Sequence, residues 1–177
     1  MKKLLLGLTI GLLLISCSSS NDSSSGLYKW SFKLNGVLYQ WEGNHLTGGG
    51  AIAAGGQATY SVNTIALQKT NSSGSPIITV SMVFPTNSSG NFIFNSSSTT
   101  QGFNIIFLDD AQQLTEMYST GSGATMNVNI SSLSNTTFTS NPTNPGKVIG
   151  TFSGTVKSAT GTTATITEGT FEAVRGA

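Results

Sequence analysis

Few residues in this chain are equipped for chemistry. It holds one cysteine, Cys17, and one histidine, His45, too few to build a zinc site. As a general base His45 would need an orienting partner and a nucleophile or water within reach. The plainer reading is a loop histidine at a strand end, just past Trp41 and Glu42. The only acidic doublet is Asp109-Asp110. Adjacent strand residues point to opposite faces, so a glycosidase-like pair would require Glu116 or Glu168 to approach one of them within about 5–10 Å. A solvated strand end capping a turn is the simpler account. The doublet also lacks the Asp-x-Asp-x-Asp-Gly spacing of a calcium loop, and neither a metal nor a cofactor is expected. Gly48-Gly49-Gly50 and Gly55-Gly56 have no following helix and no lysine to make a phosphate-cradling loop. Trp30, Tyr39 and Trp41, with Tyr28, share one face of an early hairpin, and aromatic platforms on sheets stack on the apolar faces of sugars. They are therefore candidate ligand-platform residues. Phe32, Leu34 and Val37 lie on the same face, however, which is the mark of a surface turned towards a core.

Length and composition limit the scaffold on which these residues can sit. The chain has 177 residues, about one domain's worth, and only 8% of them are charged, against roughly a quarter in an average soluble domain. Ser, Thr, Asn and Gly make up nearly half of it. This excludes a basic stripe for nucleic acid, a coiled-coil charge pattern and an acidic tail.

Met1-Lys2-Lys3 is a short positive segment, and Leu4 to Ile15 is an apolar stretch of about a dozen residues. That is the length of a signal peptide, and too short to cross a bilayer as a helix. The stretch ends in Leu14-Ile15-Ser16-Cys17, which resembles the bacterial lipobox, where a small residue precedes a cysteine that is lipidated and becomes the new N-terminus. The resemblance implies cleavage after Ser16 and acylation of Cys17, with palmitate-type chains, and more than one acyl chain gives stable attachment to a membrane. Without Lys2 and Lys3, six basic residues face seven acidic ones, a net charge of −1. Residues 17–26 then comprise the lipidated cysteine and a serine-rich flexible tether, and residues 27–177 a single β domain. A serine directly after the cysteine resembles outer-membrane lipoproteins. Asp22 alone gives weak support for export to the cell surface, so the face of the membrane stays open.

Past the tether the chain reads as strands joined by polar turns. From Tyr28 to Gly43 apolar and polar residues alternate on both sides of Asn35-Gly36. Asn-Gly is the strongest short hairpin signal, because both turn residues must accept positive φ. A two-residue loop there predicts that Leu34 faces Val37, Phe32 faces Tyr39, Trp30 faces Trp41, and Lys29 faces Glu42. Alternation recurs at Ile78–Phe84, Phe92–Phe94, Met126–Ile130, Val148–Val156 and near Ile166 to Val174. Phe103–Leu108 is almost continuously apolar, as a central strand would be. Tyr60–Leu67 changes phase, which predicts a β-bulge. A turn of helix is expected only at Asp110–Leu114. The fold class is all-β: an antiparallel β-sandwich of about 8–10 strands, with a flattened up-and-down barrel as the alternative.

Three features carry a wider resemblance: the lipobox, the early FKLNGVLYQW (Phe32–Trp41), and the late IGTFSGTV (Ile149–Val156) followed by ITEGTFEAV (Ile166–Val174). Together they resemble a family of small Bacteroidota cell-envelope lipoproteins of unknown function, whose terminal strands carry Gly-x-Phe-x-Gly and Ile-Thr-x-Gly-x-Phe. The resemblance covers both ends of the mature domain and implies an extracytoplasmic β domain, with no catalytic residues. The motifs also have a structural reading. Gly169 interrupts the phase before Phe171 as a bulge glycine would, and Gly150 and Gly154 leave room for a large neighbour.

The expected function is that of a lipid-anchored cell-envelope protein, held on the outer membrane and acting as a non-enzymatic binding or structural module. Its partners are the membrane, through the lipid, and a glycan or another envelope protein; nucleic acid is not expected. A hydrolase acting on polysaccharide or peptidoglycan, and a lipocalin-like binder of a small ligand, are the alternatives.

Overall fold

The structure is a computed structural model that describes residues 27–44, 56–61, 63–97, 101–121, 123–141 and 144–176. Cys17, the serine-rich segment and His45 lie outside these residues. Period-two sequences dominate the described chain, and it forms eleven strands and no helix. They are β1 (Leu27–Leu34), β2 (Val37–Asn44), β3 (Gly56–Ser61), β4 (Thr64–Thr70), β5 (Pro76–Val83), β6 (Gly90–Asn95), β7 (Gly102–Leu108), β8 (Leu114–Ser119), β9 (Thr125–Leu133), β10 (Lys147–Ser158) and β11 (Thr163–Arg175).

The strands form two layers. One runs β2-β1-β11-β10-β9-β6 and the other β3-β4-β5-β7-β8. Two short junctions join them. The C-terminal end of β11 pairs in parallel with β3 at Val174 and Arg175, and the C-terminal end of β10 pairs with β8 at Lys157 and Ser158. Since β10 and β11 are antiparallel, the junctions sit at opposite ends of this central hairpin. Hydrogen bonding therefore closes into a ring, and the all-β sandwich or flattened barrel is what the chain adopts.

Ring contacts tie the layers together. Phe103 on β7 meets Phe152 on β10 at 5.7 Å between centroids, and Tyr39 on β2 meets Phe107 on β7 at 5.3 Å. The Trp30 indole Nε1 donates across the layers to the Gln68 carbonyl at 3.3 Å, which satisfies a polar atom that burial would otherwise leave costly. Phe32, Phe94, Phe103, Ile105, Met82, Val80 and Ile166 are fully enclosed.

The β1–β2 hairpin has the register expected from Asn35-Gly36, down to Trp30 opposite Trp41 and Lys29 opposite Glu42. Both turn residues are left-handed, with φ of +49° at Asn35 and +85° at Gly36. The turn is also tied to β11: the Asn35 N–H donates to the Thr165 carbonyl, and the Thr165 N–H returns to the Asn35 side-chain oxygen, both at 2.9 Å. Lys29 makes its ion pair with Glu172 of β11, at 3.0 Å, rather than with Glu42.

Other local expectations shift. The phase change in Tyr60–Leu67 is a chain reversal between β3 and β4, with Ser61 opposite Thr64, and not a bulge. Asp109–Gln113 is a tight turn leading into β8 rather than a turn of helix. A bulge lies instead in β11, in the first layer, where Glu168 stands at φ +55° and register slips against both β1 and β10.

Candidate functional site

The hairpin aromatics face inwards. Trp30 is 1% exposed and Trp41 8%, and half-buried Tyr39 stacks on Phe32 at 5.3 Å. Trp30 and Trp41 thus turn most of their surface into the core and leave little for a sugar ring; Phe32 and Leu34 on the same face are buried as well, whereas Val37, beside the turn, is exposed.

The carboxylates are distributed, and each of the following has a partner. Asp109 closes the β7–β8 turn: its side chain accepts the Gln113 N–H at 2.8 Å, and its own N–H donates to the Gln113 carbonyl at 3.0 Å. Asp110 accepts from the Asn71 amide at 3.4 Å. Glu116, on β8, accepts the Tyr118 hydroxyl proton. That hydrogen bond, reinforced by burial, pushes the Tyr118 phenol up to about 12. Glu168 belongs to the other layer and pairs with Lys33 at 2.7 Å. Among the described residues no group of three or more His, Cys, Asp and Glu could hold a metal ion.

The outer face of the β2-β1-β11-β10-β9-β6 layer carries a different kind of arrangement. Register places Gln40, Ser31, Thr170, Thr151, Asn129 and Asn91 side by side, one from each strand. All six are uncharged, and all alternate with buried or half-buried neighbours, so their side chains point away from the core. Neighbouring members are joined: Ser31 and Thr170 share a hydroxyl hydrogen bond at 3.0 Å, and the Asn129 amide donates to the Asn91 side-chain oxygen.

Longer charged side chains flank this row. On one side Lys33 pairs with Glu168. On the other Glu172 accepts from Lys29 at 3.0 Å and Lys147 at 2.9 Å. Partial burial pushes the Glu172 carboxyl up, but the two lysines outweigh it and hold the group below its ordinary range. The row is thus the floor of a trough. A cavity of about 450 Å³ covers the half from Asn91 and Ile93 to Thr170, and another of about 380 Å³ covers Thr170, Ser31 and Gln40 and is also lined by Trp30, Trp41, Glu42 and, from the other layer, Lys69, so that Thr170 belongs to both.

Sequence reasoning could assign these residues to outward positions, but it could not align them. Ser31 and Thr170 are 139 positions apart, and only the packed register brings them together. Comparison of the chain with protein-family models, with curated proteins and with solved structures finds no match.

Proposed function

We propose that this protein is a lipid-anchored component of the cell envelope, acylated at Cys17 and held on the outer membrane, whose β domain is a binding or structural module rather than an enzyme. The observation that carries the binding role is the trough: six hydrogen-bonding side chains from six strands, held on a rigid sheet and flanked by ion pairs. Sites on strands are positioned more precisely than sites on loops. The lipobox residues Leu14-Ile15-Ser16-Cys17 supply the anchor. Residues 17–26 can span at most about 35 Å when extended, so the domain stays close to the lipid surface. The engaged state of Asp109, Glu116 and Glu168 favours structural roles for the carboxylates over a hydrolytic pair.

Metabolic labelling with a fatty acid tests the anchor. The full chain takes up label and partitions with membranes, while Cys17→Ala takes up none and is released to the soluble fraction. Equal labelling of Cys17→Ala would overturn the assignment.

A further inference from the structure

We propose that the trough binds a linear, uncharged glycan laid across the strands; this rests on reading the protein as an anchored binding module and names the ligand of that module. The floor crosses six strands, and at the usual strand spacing it is about 24 Å long. It therefore suits an extended chain better than a compact metabolite. Its side chains are amides and hydroxyls, which both donate and accept hydrogen bonds. A ligand matching them along its whole length must do the same, as the hydroxyl groups of a sugar chain do.

Charge narrows the class. No floor residue is charged, and the flanking lysines, Lys29, Lys33 and Lys147, are already held by Glu172 and Glu168. A polyanion such as nucleic acid or an acidic polysaccharide would meet Glu168, Glu172 and Glu42, and among the residues lining the two cavities only Lys69, at the Gln40 end, is a cation outside these ion pairs. An extended peptide recognised by strand addition would need the backbone groups of a sheet edge, whereas the floor runs at right angles to the strands and offers side chains only. Ile93, 58% exposed at the β6 end of the larger cavity, provides an apolar contact for the C–H face of a sugar ring. With hydrogen bonds largely exchanged against water, affinity for one chain is expected in the range of about 1 mM to 10 μM. Many anchored copies on one surface would raise it by avidity.

The test uses the full chain, acylated and purified in detergent, in calorimetric titrations with neutral linear hexasaccharides of glucose, mannose and xylose. Hexagalacturonate and a Ser-Gly peptide of similar length serve as comparison ligands. At least one neutral hexasaccharide binds, and Thr151→Lys and Thr170→Lys each weaken that binding about tenfold or more. Asn129→Asp, which adds charge without bulk, weakens it too. Thr115→Lys, on the outer face of the opposite layer, leaves it unchanged, and melting curves confirm that all four variants fold. Binding that is indifferent to the trough variants overturns the proposal. So does stronger binding of the acidic oligomer or the peptide, or the absence of neutral-sugar binding at about 10 mM. Acyl labelling of the same preparation separates the two readings. Labelled protein that binds none of the sugars keeps the anchored module and ends the glycan assignment; sugar binding by unlabelled protein does the reverse.

Discussion

Gly169 on β11 lies directly against the ring of Phe152 on β10. The two are register partners, and a Cβ on Gly169 would stand 2.7 Å from both Cγ and Cδ2 of that ring, and closer still to the Phe152 carbonyl oxygen. Phe152 in turn contacts Phe32, Phe103 and Phe171. The glycine is therefore what lets the central hairpin seat the aromatic that links the two layers. Gly150 does the same for Phe171, its own register partner.

Gly169→Ala is expected to destabilise the fold by about 3 kcal/mol, the upper end of the range for overpacking, because the obstacle includes backbone as well as a ring that three others hold in place. Urea denaturation measures it through a lowered midpoint at unchanged slope. A loss below about 0.5 kcal/mol, the size of an ordinary surface substitution, would contradict the close approach.

The turn at Asn35-Gly36 makes a different prediction, since nothing crowds Gly36 and only its backbone angle is at stake. Gly36→Val is expected to cost about 2 kcal/mol or more, because a β-branched residue resists the left-handed region. Gly36→Asn should cost only a fraction of that. Equal thermal midpoints for the two variants would show that the turn angle is not what matters.

These two cases also mark where sequence is informative. At Asn35-Gly36 turn chemistry, face and register are all local, so the pairing of Trp30 with Trp41 follows from the residues themselves. β8 left no such trace: in LTEMYS only Tyr118 is buried, while Leu114 and Met117 are exposed, so apolar type and burial disagree. Between Ser61 and Thr64, the last register pair of β3 and β4, the sequence holds neither glycine nor proline, and the phase change imitates a bulge. The trough is the extreme case. Its alignment depends on β11 pairing with β1 and β10 on its two edges at once, a long-range choice made by the packing of Phe152, Phe171 and Trp30 rather than by any segment alone.

Tyr118 offers a spectroscopic check of the β8 assignment. The Glu116 hydrogen bond and burial push its phenol up to about 12 from an ordinary 10, so the folded state holds this proton more tightly than the unfolded chain. The associated stability is complete below pH 10 and is lost as pH rises towards 12. Phenolate absorbance, taken as the difference between the wild type and Tyr118→Phe, should place this group near 12. Glu116→Gln should bring it down towards 10. If Glu116→Gln leaves the titration unmoved, the hydrogen bond is not the cause.

Glu172 titrates with the opposite sign. Burial raises its carboxyl, but hydrogen bonds from Lys147 and Lys29 win and hold it below the ordinary value of 4.5. The folded state therefore binds fewer protons than the unfolded one on the acid side. Its contribution to stability is fully present above pH 4.5 and fades as pH falls through the lowered value. Denaturation midpoints of the wild type and Glu172→Gln should accordingly differ at pH 7, with the variant less stable, and converge as the solution is acidified below 4.5. Salt should narrow the gap at pH 7, because the lysines are partly solvated. A gap that stays constant with pH would mean that Glu172 acts by packing rather than by charge. In that case the ion pairs flanking the trough would not be what holds its edge in place.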